Sequence, residues 1–315
     1  MAMADRGGGQ PTVLVIGAAN LDIKGRAAQA LMPGTSAPGE IRNSVGGVAR
    51  NVAENLARLG VHAVLLSAVG DDSPGRRLLS QAEECGIDVS QVLVLAGQRT
   101  AAYLTVLDEA GKPFVSVDDT KIMEAITPAY IYANRRYFRE AAMVVLDANV
   151  PPKAMETIFK LAERYGVPVC ADPTSALLAE RLRPFLPRLY MVTPNVPEAE
   201  VLSGAHITHR ESAIRAARKL VSKGVRIAIV TRAERGVCYA STEASGHVPA
   251  LQTDIVDLTG AGDALTAGVV FGLLNDFSLD EAVRLGVSAA ALTLRSRETV
   301  SPELSLERLY DQLVI

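Results

Sequence analysis

The sequence predicts an α/β fold: a three-layer, mostly parallel sheet with helices on both faces, plus a small β-sheet lid. Three observations predict it. Hydrophobic residues make up 49% of the 315 and charged residues 21%, which excludes disorder over most of the chain. The apolar content is aliphatic and small, with six Phe, eight Tyr and no Trp, as expected of Val/Ile/Leu strands covered by Ala-rich helices. Short apolar runs alternate with segments of helical periodicity, the pattern of βαβ units.

The elements follow in order. Residues 1–11, with Gly7-Gly8-Gly9, are expected to be a flexible tail ahead of a single domain over residues 12–315. Thr12–Gly17 reads as a strand buried on both faces. Gly47–Leu59 has helical periodicity and stops at Gly60, a C-cap glycine. His62–Val69 is strand again, and Gly75–Glu84 is helix, ended by Gly86. Thr100–Asp108 and Lys112–Asp118 then break the rhythm as strand-like runs joined through Asp108-Glu109-Ala110-Gly111, a hairpin turn. With Ile23–Ala27 and Glu40–Val45 they are expected to form a small antiparallel sheet, a lid built from segments near 18–45 and 99–119. Such a sheet cannot bury both faces alone, so it must lie over a cleft or pair with another subunit, as in a homodimer. The alternation resumes with strands Met143–Asp147, Val167–Asp172, Tyr190–Thr193 and Arg226–Thr231, and helices Pro152–Tyr165 and His209–Ser222. Two S/T-x-x-E capping boxes, Thr208 to Glu211 and Ser278 to Glu281, mark helix starts. The first makes His206 and His209 straddle a helix start, which argues against a metal pair.

Composition also bounds the partners. Lys+Arg 32 against Asp+Glu 35 leaves a net charge of −3, no field for a nucleic acid polymer, and aromatic stacking platforms are scarce. Apolar stretches are too short to span a membrane. Cys85, Cys170 and Cys238 form no CxxC pair, Cys170 reads as a buried small hydrophobe, and the first residues lack a secretory h-region. A reducing cytoplasm is the expected location.

Three polar turns carry chemistry. The strongest is Asp257-Leu258-Thr259-Gly260-Ala261-Gly262-Asp263, where a strand-like segment leads through glycines into a helix start with an acid in its first turn. Free N–H groups at such a helix start hold phosphate oxygens, and the amides of Gly260 to Asp263 suit a transferred phosphoryl group. Asp263 either favours the helix dipole or accepts a hydrogen bond from an attacking hydroxyl. A free Asp, with a pKa of about 3.9, is a weak base, but phosphoryl transfer asks chiefly for positioning. The second turn is Gly17-Ala18-Ala19-Asn20-Leu21-Asp22 with Gly46-Gly47-Val48-Ala49-Arg50-Asn51. Asn20, Asp22 and Asn51 suit a vicinal diol, and Gly46-Gly47 would let a sugar approach the backbone; a plain polar turn reads equally well. The third, Thr193-Pro194-Asn195-Val196-Pro197-Glu198, is either a turn into an acidic, Pro-started helix or a holder of the water shell of Mg²⁺. No GxGxxG, Walker A or kinase HRD set is present.

Taken in order, GAANLD, GGVARN, PNVPEAE and DLTGAGDALTAG resemble the PfkB/ribokinase family of carbohydrate and nucleoside kinases over Thr12 to about Leu309. The resemblance implies ATP-dependent phosphorylation of a hydroxymethyl group on a small molecule, with Mg²⁺. It implies Asp263 as catalytic base and Gly260, Ala261 and Gly262 as anion hole. Asn20, Asp22, Gly47 and Asn51 match sugar-contacting positions, with Gly46 beside them, and Tyr103 is the lid aromatic placed either to cover the substrate or simply to pack. Asn195, Thr231, Gly236, Thr259, Gly260 and Gly262 fall on the nucleotide side, with Asn195 and Glu198 toward Mg²⁺. Asp257, with Thr259, matches a stretch that in some members lends carbonyls to a monovalent cation such as K⁺. GAANLDIKG, GGVARN with its Arg50, and VDDTKIMEAIT with the acidic pair Asp118-Asp119 resemble the branch acting on the nucleoside pseudouridine. One departure stands out: in the turn Thr231-Arg232-Ala233-Glu234-Arg235-Gly236, Ala233 stands where the family usually has glycine, which is strained if φ is positive there.

Overall fold

The computed structural model describes residues 10–312. The chain runs β1 (Thr12–Ile16), β2 (Asn20–Ala27), β3 (Gly39–Gly46), α1 (Val48–Arg58), β4 (His62–Leu66), β5 (Ala68–Gly70), α2 (Ser73–Glu84), β6 (Leu93–Leu95), β7 (Ala101–Leu107) and β8 (Pro113–Asp119). Next come α3 (Pro128–Ala133), α4 (Arg135–Glu140), β9 (Met143–Asp147), α5 (Pro152–Tyr165), β10 (Val169–Asp172), α6 (Ala176–Ala179), β11 (Met191–Val192) and α7 (Val196–Ser203). It closes with α8 (Arg210–Ser222), β12 (Ile227–Thr231), β13 (Val237–Ser241), β14 (Ser245–Val248), α9 (Ala261–Leu274), α10 (Leu279–Leu294) and α11 (Leu306–Asp311). The expected tail lies, through residue 9, outside the described residues, as do residues 313–315 at the end of the expected domain.

Eight strands form the main sheet in the order β14-β13-β12-β11-β10-β9-β1-β4. The six from β12 to β4 are parallel, and β13 and β14 add an antiparallel edge. Successive side chains of a strand point to opposite faces, so each apolar strand feeds two cores. Leu14 and Ile16 of β1 join α5, α7 and α8 on one face, whereas Val13 and Val15 join α1, α9 and α10 on the other. Helix α9 is buried all round, and its Gly268 packs against Gly286 of α10, where a Cβ would meet that backbone.

β3-β2-β7-β8 form the small sheet. Its two faces differ in chemistry. The rows Ser44-Asp22-Tyr103-Asp118 and Arg42-Lys24-Thr105-Ser116 share one face, whereas Ile23-Leu104-Val117 and Val106-Val115 share the other. On that apolar face Ile41, Leu104, Val115 and Val117 are exposed.

Four expectations need correction. The small sheet is mixed, because β2 and β7 are parallel; the chain crosses through α1, β4 and α2 before β7 begins. His62–Val69 is two strands: at Ser67, whose hydroxyl donates to Gly17 O at 2.6 Å, the chain leaves the main sheet, and β5 pairs with β6. Residues 249–260, which lead from β14 into α9, form no strand. The amide of Val256 donates to Leu294 O at 2.8 Å, so this backbone caps the end of α10 instead of joining a sheet. The capping box of α8 lies one residue later than expected, with Ser212 Oγ accepting from His209 N at 3.0 Å, while Glu211 turns outward to Arg210. The box of Ser278 and Glu281 forms as expected.

Candidate active site

Open α/β sheets bind ligands beyond the carboxyl ends of strands where the order reverses. Here β1 lies between β4 and β9, so the reversal falls at the ends of β1 and β9. Asp147, the last residue of β9, fills that point. One of its oxygens accepts from Ala18 N at 2.7 Å and Ala49 N at 3.1 Å, and the other from Asn149 N at 2.9 Å and Asn149 Nδ2 at 3.0 Å. Burial pushes its pKa up, opposed by those donors. Sequence reasoning missed Asp147 and Asp172, yet each is an acid ending a buried strand, MVVLD and VCAD, and that signal was there to find.

Asp263 sits in the first turn of α9 and is 8% exposed. Its carboxylate accepts from Asn51 Nδ2 at 2.8 Å. Burial raises its pKa to about 7, helped by Asp147 and Asp22 and opposed by Asn51 and Arg50, so it is a far better base than a free Asp. The amides of Gly260, Ala261, Gly262 and Asp263 have no protein acceptor among the described residues. The glycines beside them differ. Gly260 has φ 83°, and a Cβ there would collide with Thr299 O, so packing demands it. A Cβ on Gly262 would meet nothing within 4 Å.

Around this helix start the structure gathers Asn20, Asp22, Gly46, Gly47 and Asn51. Asp22 accepts from Asn20 Nδ2 at 2.6 Å, and burial raises its pKa to about 6. Gly46 and Gly47 need no sugar to explain them: a Cβ would strike the Asp22 carboxylate at the first and Ala18 O at the second. Tyr103 lies opposite Asp22 in the sheet register, its hydroxyl donating to Ser116 Oγ at 2.9 Å. Beyond it, a cavity of about 760 Å³ is lined by Asp118, Asp119, Lys121, Asn149, Lys153 and Arg181, among others.

On the other side, Asn195 and Glu198 form a capping box on α7: Glu198 Oε2 accepts from Asn195 N at 2.9 Å, and Asn195 Oδ1 from Glu198 N at 3.0 Å. Thr231 bridges to Asn195 across the strand ends, its amide donating to Pro194 O at 2.9 Å. Gly236 closes the turn beyond β12, where its missing Cβ clears Val248 O. In the same turn Ala233 has φ 50°, the left-handed strain that its replacement of glycine implies. Burial first, then the charges of Asp263 and Glu198, drives the pKa of Asp172 up. Among the described residues no group of three His, Cys, Asp or Glu side chains is arranged to bind a metal directly. Asp172 and Glu198 are oxygen donors, the ligand class that Mg²⁺ takes.

The side chains of Asp257 and Thr259 are held by a cation of the chain itself. Lys24 Nζ, from β2, already contacts Asp257 Oδ2 at 2.6 Å and Thr259 Oγ1 at 2.7 Å, and that ammonium holds the Asp257 pKa down against burial. Lys24 therefore ties the polar face of the small sheet to the turn before α9.

Comparison with known proteins agrees with this geometry. The chain belongs to the pfkB family of carbohydrate kinases, whose profile matches residues 10–305. It is 35% identical over 295 residues to pseudouridine kinase of Escherichia coli K12, covering 93% of this chain and 94% of that one. It is 32% identical over 299 residues to guanosine-inosine kinase of Exiguobacterium acetylicum, covering 93% and 97%. Arabidopsis thaliana ribokinase, solved with ribose and ATP, superposes with a TM-score of 0.83 at 21% identity, covering 97% of this chain and 99% of that one. The protein is thus a nucleoside or sugar kinase, a phosphotransferase acting on a hydroxyl group.

Proposed function

We propose that this kinase transfers the γ-phosphoryl group of ATP to the 5′-hydroxyl of a nucleoside, pseudouridine before others. The observation that carries the reading is Asp263: a buried carboxylate with a raised pKa, beside four amides that have no acceptor among the described residues at the start of α9. In this reading Asp263 accepts the proton of the 5′-hydroxyl as its oxygen bonds to the γ-phosphorus and the bond to ADP breaks. The amides of Gly260, Ala261 and Gly262 receive the negative charge of the transferring group. Mg²⁺, when bound with the nucleotide, neutralises phosphate charge, and Asn195 and Glu198 would hold its water shell. Thr231, Gly236 and Thr259 flank the nucleotide. Asn20 and Asp22 hold the ribose diol, and Tyr103 covers the sugar.

The base is assigned to the cavity beside the small sheet. A C-linked uracil keeps an N–H that an N-linked one lacks, and Asp118 and Asp119 are acceptors on that cavity's wall. The 35% identity to a pseudouridine kinase supports the same choice. We also assign the exposed apolar face of the small sheet to a second copy of the chain, and the protein, with its three free cysteines, to the cytoplasm.

The test is ATP consumption over pseudouridine, uridine, inosine, guanosine, adenosine, ribose and fructose. Pseudouridine is expected to be turned over fastest; pseudouridine inert with another compound active overturns the specificity. Asp263→Asn is expected to lower kcat by about 10³-fold while nucleoside binding stays within about tenfold. A kcat near wild type removes Asp263 from the chemistry.

A further inference from the structure

Arg50, in the first turn of α1, is 3% exposed, which is uncommon for a guanidinium. Its Nη2 is paired with the Glu54 carboxylate, and its Nη1 donates to Asn51 Oδ1 at 3.1 Å. Nε has no protein partner among the described residues. The position matters because Asn51 is the residue that reaches Asp263. A side-chain amide has one accepting and one donating end, whereas a guanidinium only donates. Thr299 Oγ1 is 3.2 Å from the same Asn51 oxygen, but its single proton has a nearer acceptor in Val45 O at 2.9 Å. Arg50 therefore decides which end of the amide faces where.

We propose that Arg50 is a positioning residue for phosphoryl transfer, its guanidinium locking the Asn51 amide so that only the donating end faces the Asp263 carboxylate. The proposal rests on the reading of Asp263 as the base. A flipped Asn51 would set two donors against each other at Arg50, and would present an acceptor to Asp263. That acceptor would stabilise only the protonated acid, which can neither take a proton nor orient a hydroxyl. Arg50 thus acts twice against the unproductive state, through the lock and through its own charge. The groups facing Asp263 are Asp147 at the end of β9, Asp22 on β2, Asp172 at the end of β10 and Arg50; Glu54, Arg58, Cys85 and Asp22 surround Arg50. Three acids thus oppose ionisation of Asp263, and Arg50 is the cation that favours it.

The experiment is kcat against pH for the wild type, Arg50→Met, Arg50→Lys, Glu54→Gln and Asp263→Asn. The wild-type rate should fall on the acid side as Asp263 is protonated. Arg50→Met should move that limb upward by about one pH unit and lower kcat about tenfold at neutral pH, with the KM for ATP unchanged. Arg50→Lys, which keeps a charge and a donor, should restore most of the limb position. Glu54→Gln leaves the guanidinium less compensated and should move the limb the opposite way, downward. A merely structural role would lower rates without opposed shifts. An unmoved limb in Arg50→Met overturns the proposal, and so does an unmoved limb in Glu54→Gln, which decides the matter if Arg50→Met does not fold. A near-wild-type kcat for Asp263→Asn would instead overturn the reading beneath it.

Discussion

Two glycine turns start the helices that meet where Asn51 reaches Asp263, and they use their backbone in opposite ways. At the start of α1, Gly46 and Gly47 are required by neighbouring protein atoms, the Asp22 carboxylate and Ala18 O. The amides behind them are already occupied: Ala49 N donates to Asp147 and Arg50 N to Ala18 O at 3.2 Å. At the start of α9, Gly262 faces open space, and the amides from Gly260 to Asp263 have no protein acceptor among the described residues. A glycine motif alone does not reveal which use a turn serves. Hydrogen-bond accounting does, because a helix start needs acceptors from somewhere, and only the unserved one is free to take an anion.

The contrast can be broken in several places. Gly47→Ala combines φ 101° with a collision at Ala18 O, so it should cost about 2 kcal/mol or more of stability. Thermal unfolding checks this, and an unchanged Tm would mean that the α1 turn is not structural. Asp22→Ala should raise the nucleoside KM about tenfold with kcat little changed, as for loss of a ground-state contact. The same carboxylate predicts a pH effect. Its pKa is raised to about 6, so the acceptor is lost as pH falls through that value and the wild-type KM should rise. A KM flat with pH and indifferent to the substitution refutes the diol role. The smallest effect is expected at Ala233, where Ala233→Gly should relieve a left-handed alanine and gain up to about 1 kcal/mol. A lower Tm in that variant would show that the turn tolerates its alanine.

Legibility followed distance along the chain. Asp263, Gly260 and Gly262, or Asn195 and Glu198, were readable because a few adjacent residues and one helix start define them. The Lys24–Asp257 pair joins residues 233 apart in sequence, and Asn51–Asp263 residues 212 apart, so no local pattern signals either. The raised pKa of Asp263 escaped for the same reason, since it comes from burial by distant elements. Strand boundaries came through well for Met143–Asp147, where apolar residues run unbroken. The small sheet was misjudged in direction because strand polarity depends on the intervening crossover. In the sequence Arg50 is legible only as a branch feature, whereas its role lies in which end of Asn51 it fixes, a matter of geometry.

The central claim is that the start of α9 is kept free for the transferring phosphoryl group, and Gly262→Ala tests it most directly. Alanine is the better helix former, and its Cβ meets no protein atom there, so stability should hold or rise by about 0.5–1 kcal/mol. The same methyl group would intrude where the anion must sit, so kcat should fall by about tenfold or more. A variant that is as stable as the wild type and far slower is the predicted result. Equal stability with an undiminished kcat would contradict the account.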